Sequence, residues 1–211
     1  AVGKVVVGLP PTFARHLTVP FVRAFRRNYP RASLSIVEGL SSTIQEWLEV
    51  GRVDVGLVYN PTASPAIDAR ILLEEPLCLI GPRKAGREPL TLRLRELPRF
   101  PLVIPNRPHA IRTLVETRLA GLGLRPLIAM EIDAVPAILE LVAEGYGYAV
   151  LSPRALHGSA QARRLHSRTI VQPQLKSALA VVTSALRPST PLSKAAIAMI
   201  EASAGPALPR S

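Results

Sequence analysis

The strongest constraint on this chain is an alternation at its start, where short β-branched runs are separated by segments of helical period. Residues 4–9 (KVVVGL) are an apolar run closed by Gly8, Pro10 and Pro11, which reads as a buried strand and a turn. Phe13, Leu17, Phe21, Val22 and Phe25 then recur at spacings of three and four, with Arg23, Arg26 and Arg27 outward and Tyr29-Pro30 as a stop. The spacing predicts a helix over 12–28, capped by Thr12, with Pro20 marking a kink or a late start. Residues 33–38 (SLSIVE) read as a second strand, and 43–50 as a second helix with Ser42 and Gln45 spaced as a capping box and Gly51 ending it. Residues 54–59 (DVGLVY) are a third strand. Strand-helix-strand-helix-strand is the pattern of a parallel sheet covered by helices.

The theme then repeats. Residues 69–80 hold two extended stretches split by Pro76, and 82–89 are polar and suit a crossover. A second set follows, with strands at 101–104, 127–132 and 148–151 and helices at 111–120 and 135–143. A strand at 175–184 and a helix at 191–202 have no third unit to join, so they are expected to return to the first. The expected organisation is one subdomain from 1–80 plus 176–211 and another from 81–175.

At 211 residues, 48% hydrophobic and 19% charged, the chain has the apolar surface to fold, which excludes a disordered segment. Its single cysteine, Cys78, removes any intramolecular disulfide framework and points to a reducing, cytoplasmic setting. The N-terminal apolar run is too short for a signal peptide or a membrane span, and no membrane partner is expected. Because the chain starts without Met, a piece of a longer protein is an open reading.

The formal charge is +11, from 26 Lys and Arg against 15 Asp and Glu. Residues 1–80 carry 8 basic and 7 acidic groups, 81–175 carry 14 and 7, and 176–211 carry 4 and 1. The excess therefore sits mainly in the middle of the chain, dispersed along it, with aromatics at only 4%. That distribution reads as a basic, solvated surface rather than a nucleic-acid stripe.

No reaction is readable. His16, His109, His157 and His166 lack paired metal-ligand spacing, and Ser152 lacks the glycine-flanked elbow of a nucleophile. Cys78 lies between Leu77 and Leu79 as an inert apolar thiol. Gly145 and Gly147 follow a helix and precede a strand, the reverse of a dinucleotide loop, and read as a helix-ending turn. No metal and no cofactor are expected.

Open α/β sheets bind ligands at the carboxyl ends of strands, where helix N-termini present free N–H groups. Three such junctions are readable: 9–12, 39–42 and 105–109. Thr12, Ser41 and Ser42 offer hydroxyls, and Arg107 and His109 add donors, a set that suits a small anion such as a carboxylate. Each hydroxyl could equally be only a cap. Asp133, at another junction, could cap or meet a cationic or hydroxyl group.

VVVGLPPT, LTVPFVRAFRRNYPRASLSIVEG, LEVGRVDVGLVYN, EEPLCLIGP, LPRFPLVIP and ILELVAEGYGYAVLSP, in this order, resemble the effector-binding region of LysR-type transcriptional regulators. The GLPP, EGLS and GLVYN segments are most similar to the subgroup of the nitrogen-assimilation-control regulator. The resemblance implies an α/β fold of two Rossmann-like subdomains joined by crossover strands, like periplasmic binding proteins, with a small effector held between them. It implies a homodimer or homotetramer, with head-to-tail contact through the helix at 12–28 and part of 190–204. It also implies that DNA is bound only by an N-terminal winged helix-turn-helix, which nothing in residues 1–211 matches. Carried over by position, the effector contacts fall on Pro10, Thr12, Ser42, Asn106, Arg107, His109, Ile132 and Asp133. Pro10 and Pro11 lack the donor common at the first turn, and Ile132 is apolar where a polar contact is the pattern. A solute-binding protein of a transport system and a two-lobed enzyme are the competing readings.

Overall fold

In the computed structural model, residues 2–204 are described, so the expected placement of 205–211 in the first subdomain lies outside them. The chain divides into two α/β units, one running up to Leu73 and resuming at Ala178, the other Glu74–Ser177.

The first unit opens with β1 (Gly3–Leu9), α1 (Pro11–Asn28), β2 (Ala32–Glu38), α2 (Ser41–Glu49) and β3 (Val55–Tyr59), in the order the periodicity predicts. The next strand, β4 (Ile67–Pro76), crosses into the second unit, and the returning strand β11 (Lys176–Ser184) is followed by α5 (Pro191–Ala204). The sheet order is β2-β1-β3-β11-β4. β1 pairs in parallel with both β2 and β3, while β11 runs antiparallel to β3.

Alternation along the strands sends apolar side chains to both faces. On one face Val5, Val7, Val55, Leu57, Leu179 and Val181 pack with Phe13, Leu17, Phe21 and Phe25 of α1 and Leu192, Ala196 and Ile200 of α5. On the other, Val58, Ala180 and Val182 pack with Ile44 and Leu48 of α2. α1 runs unbroken through Pro20, whose ring is on the exposed face.

The second unit contains β5 (Cys78–Pro82), β6 (Thr91–Arg93), β7 (Leu102–Ile104), α3 (Ala110–Ala120), β8 (Ile128–Glu131), α4 (Val135–Ala143), β9 (Ala149–Leu151) and β10 (Leu165–Val171). Its larger sheet has the order β6-β10-β5-β9, and β7 and β8 pair in parallel beside it. α4 packs Ile138, Leu139 and Val142 on one face, and α3 packs Val115 and Leu119 on another.

The structure differs from the sequence expectation in the unit boundaries and in elements that the sequence reading lacks. Residues 74–80 and 176–177 fall in the second unit rather than the first, with β5 pairing with β9 and β10. β6, the 3-10 turn Leu94–Arg99 and β10 are absent from the sequence reading. β10 carries His166, Ser167, Arg168 and Thr169, which masks its strand character, yet its backbone satisfies β5 on one side and β6 on the other. Gly145, at φ +90°, supplies the left-handed turn that ends α4, as expected of that glycine.

Gly56 has no side chain for a steric reason. A Cβ there would lie 2.6 Å from Ile44 Cγ2, so α2 rests directly on β3 backbone. Gly56→Ala is expected to cost about 1–3 kcal/mol through overpacking, read as a lower urea midpoint with an unchanged slope.

Candidate functional site

In the first unit the strand-end turns lie side by side. The parallel register puts Leu9 opposite Glu38, and Gly39 N–H donates to Leu9 O at 3.2 Å, tying the β1–α1 turn to the β2–α2 turn. Neither helix is capped as the sequence predicts. Pro10, in extended conformation, is the residue before α1, and Thr12 sits exposed inside the first turn with no capping bond. Pro11 fills the first helical position, where the missing N–H costs nothing. The buried Pro10 contributes its carbonyl, which accepts from Phe13 N at 3.0 Å and Ala14 N at 2.9 Å.

In α2 the flanking residue is Leu40, so the expected capping box of Ser42 and Gln45 is absent. Ser41 Oγ instead accepts from Tyr59 N at 2.9 Å, fastening the helix start to the end of β3. Gln45 grips the following loop through Nε2 to Thr62 O (2.9 Å) and Oε1 from Thr62 N (3.1 Å). Ser42 remains exposed in the first turn. Pro10, Thr12, Ser41 and Ser42 thus form one set, with the hydroxyls of Thr12 and Ser42 outward beside two helix N-termini.

The remaining expected residues form a set in the second unit. Parallel pairing places Ile104 opposite Glu131, and Ile132 N donates to Ile104 O at 3.0 Å, so the β7–α3 and β8–α4 turns are neighbours. Asp133 Oδ1 accepts from both N and Nδ2 of Asn106, at 2.9 and 3.1 Å. These two bonds hold the Asp133 carboxyl below its usual range, so it is ionised at neutral pH. Ile132 is half-buried and packs its apolar side chain with the α4 core.

His109 is the N-cap of α3, its Nδ1 accepting from Ile111 N at 3.2 Å. Burial pushes its pKa down against the upward pull of Asp133, so the ring is neutral at neutral pH with its proton on Nε2. Arg107 is exposed but partnered. Its Nε and Nη2 donate to the two oxygens of Glu116 at 3.0 and 2.9 Å, a bidentate pair.

Under this loop lies a residue that the motif search passes over. Arg112, its side chain only 5% exposed, donates to Glu116 Oε1 (2.7 Å), Glu131 Oε1 (2.6 Å) and the Pro105 carbonyl (3.1 Å). It therefore joins the end of β7, the start of α3 and the end of β8 in one network. The Arg112-to-Glu116 spacing of four on a helix is the signal in the sequence that would have found it. Two guanidinium groups here meet two carboxylates, Glu116 and Glu131, while the third, Asp133, is held by Asn106.

Among the described residues no group of His, Cys, Asp and Glu could hold a metal ion, and no helix is long and apolar enough to cross a membrane. Cys78 is buried 3.8 Å from Thr169 Oγ1, and burial pushes its thiol pKa up.

Residues 1–205 match the family described as the LysR substrate binding domain. The chain belongs to that family. Curated relatives of this LysR-type chain include the HTH-type transcriptional regulator BbuR of Bordetella bronchiseptica, 25% identical over 184 residues, covering 86% of this chain and 56% of the relative. Another is the nitrogen assimilation regulatory protein nac of Escherichia coli, 25% identical over 154 residues, covering 72% of this chain and 50% of the relative. The LysR domain thus spans about half the length of these relatives. Among solved structures, the effector binding domain of QuiR, in complex with shikimate, superposes with a TM-score of 0.77 at 16% identity, covering 98% of this chain and 99% of that one. That likeness shows the fold, the two-subdomain α/β architecture of the family.

Hydrogen bonds from Arg107, then from Arg112, hold the Glu116 carboxyl below its usual range, against the opposing effect of burial. A depressed folded-state pKa adds stability above the ordinary carboxylate range, and that stability is lost as pH falls through the lowered value. Urea midpoints measured from about pH 6 to about pH 3 should fall for the parent and flatten for Glu116→Gln. Arg112→Met should cost about 1–3 kcal/mol, because it leaves the Pro105 carbonyl without its donor and Glu116 with Arg107 alone, while the half-exposed Glu131 turns to water.

Proposed function

We propose that this chain is the effector-sensing part of a bacterial LysR-type transcription regulator and that its effector is a small carboxylate. Family membership over residues 1–205 carries the reading, and it disfavours the transport-protein alternative. The chain acts by binding rather than by turnover, and it assembles as a homodimer or homotetramer. In this reading DNA is read by a helix-turn-helix in the part of the relatives that this chain does not span, and the protein works in the cytoplasm.

The proposed effector contacts are the strand-end residues Pro10, Thr12, Ser41 and Ser42 in the first unit and Asn106, Arg107, His109, Ile132 and Asp133 in the second. Support for an anion at the first set comes from the exposed Thr12 and Ser42 hydroxyls at the positive ends of α1 and α2. QuiR, captured with shikimate, is a precedent for a hydroxylated carboxylate in this fold. In the second set Asp133 is an acceptor for a ligand hydroxyl, and Arg107 reaches an anion by leaving Glu116. Bound effector shifts the population of domain arrangements that the DNA-binding part reports.

Thermal unfolding against shikimate, citrate, 2-oxoglutarate and amino acids tests this. A true effector at about 100 times its Kd should stabilise the fold by about 2.7 kcal/mol. Thr12→Val and Ser42→Ala should each weaken that hit about tenfold, roughly the worth of one hydrogen bond to a charged group, without lowering the Tm of the free protein. No stabilisation by any carboxylate would sink the effector class, and unchanged affinity in both variants would sink the contact set.

A further inference from the structure

The cations of residues 81–175 are dispersed along the sequence, but the fold collects some of them. Antiparallel pairing of β5 with β10 sets Pro82 opposite Leu165, so the loop leaving β5 and the turn entering β10 meet at one end of the sheet. The first carries Arg83, Lys84 and Arg87; the second, a 3-10 turn over Ala162–Arg164, carries Arg163 and Arg164. The two segments are laced together. Arg83 N donates to Arg164 O at 2.8 Å, Arg83 Nη2 donates to Leu165 O at 3.0 Å, and His166 Nε2 lies 2.9 Å from Pro89 O.

Their charge is not neutralised. Arg83 bonds a backbone carbonyl, and Arg164 bonds the Gln161 amide oxygen (3.0 Å) and the Ala143 carbonyl (3.2 Å). Such acceptors satisfy N–H groups and leave the positive charge uncompensated. None of the five cations joins an ion pair found among the described residues. The adjoining carboxylates are Glu88, which accepts from Lys84 N at 2.8 Å, and Glu144, next to Ala143. Elsewhere in the unit, Arg99, Arg107, Arg112, Arg154 and Lys176 are all paired with carboxylates.

We propose that this basic corner, formed by Arg83, Lys84, Arg87, Arg163 and Arg164, is a contact for the phosphate backbone of duplex DNA, read without regard to sequence. Four of the five are arginines, whose planar fork matches phosphate. The aromatic side chain that the hydrogen bonds place by the corner is a single one, the exposed Tyr146, three residues from the Ala143 carbonyl that Arg164 bonds, which is no run of rings for successive unstacked bases. That favours a duplex backbone over a single strand. The relatives are named as HTH-type transcriptional regulators, so duplex DNA is a polyanion that the whole protein meets. Held near it by another domain, a weak contact is amplified by effective concentration. The inference stands apart from the effector reading and does not depend on it.

The test titrates the chain into a fluorescein-labelled duplex of about 30 base pairs and arbitrary sequence, by anisotropy, from about 50 to about 200 mM NaCl. Binding is expected, with log K falling against log salt at a slope near −4, about 0.9 for each phosphate contact. The exposed triple Lys84→Glu/Arg87→Glu/Arg163→Glu should weaken binding at least about 30-fold at low salt and reduce the slope by about 3. A control of equal charge, Arg118→Glu/Arg125→Glu/Lys194→Glu, should weaken it less than about threefold. Melting curves establish that both variants fold, and Lys84→Glu alone, expected to weaken binding about threefold, serves if the triple does not. Equal losses in the two triples, or no binding by the parent at low salt, would overturn the assignment. Binding of poly-L-glutamate that depends on the same three residues, with none to DNA, would overturn it in favour of an acidic protein partner.

Discussion

The first unit depends on β1 being hydrogen-bonded in parallel on both sides. Parallel pairing forces each strand-to-strand connection to cross a face of the sheet, so α1 and α2 are consequences of the ladder as much as of their own periodicity. It also aligns the carboxyl ends of β1, β2 and β3 at one edge. Every turn that this unit offers to a ligand is placed by that alignment, with Gly39 bonded to Leu9 and Ser41 bonded to Tyr59.

The second unit solves the same problem with a different fixture. Its parallel pair, β7 and β8, is short, and three residues of ladder define a turn poorly. Arg112 supplies the missing rigidity by gripping a carbonyl and two carboxylates from three separate segments. A buried cation is costly unless its donors find acceptors, and here the acceptors lie on the β7–α3 loop, on α3 and at the end of β8. Burial and site geometry are therefore one requirement.

Much of the fold is legible in the sequence because both faces of each sheet must be covered, and that demand writes period 2 and period 3.6 into the residues. KVVVGL, SLSIVE and DVGLVY are apolar enough to be read alone; β10 is not, since His166, Ser167 and Arg168 lie on a partly exposed strand. Cap identity failed for a local reason. Thr12 and Ser42 have cap chemistry, but Pro10 and Leu40 hold the extended backbone angles that define the position, so the hydroxyls fall inside the first turn. At the candidate site the residue types were readable and their pairings were not. Whether Arg107 meets a ligand or Glu116, and whether Asn106 meets solvent or Asp133, is decided by loops brought together in three dimensions.

The bidentate pair between Arg107 and Glu116 has a consequence for sensitivity. A guanidinium already clasped by two oxygens gives an incoming anion only the difference between two similar ion pairs. In the proposed effector role such exchange sets a threshold: a monodentate or weakly basic oxygen gains nothing by displacing Glu116, whereas a ligand that also brings contacts elsewhere can. In that role the arginine is a filter on the completeness of the match rather than a general attractor of negative charge.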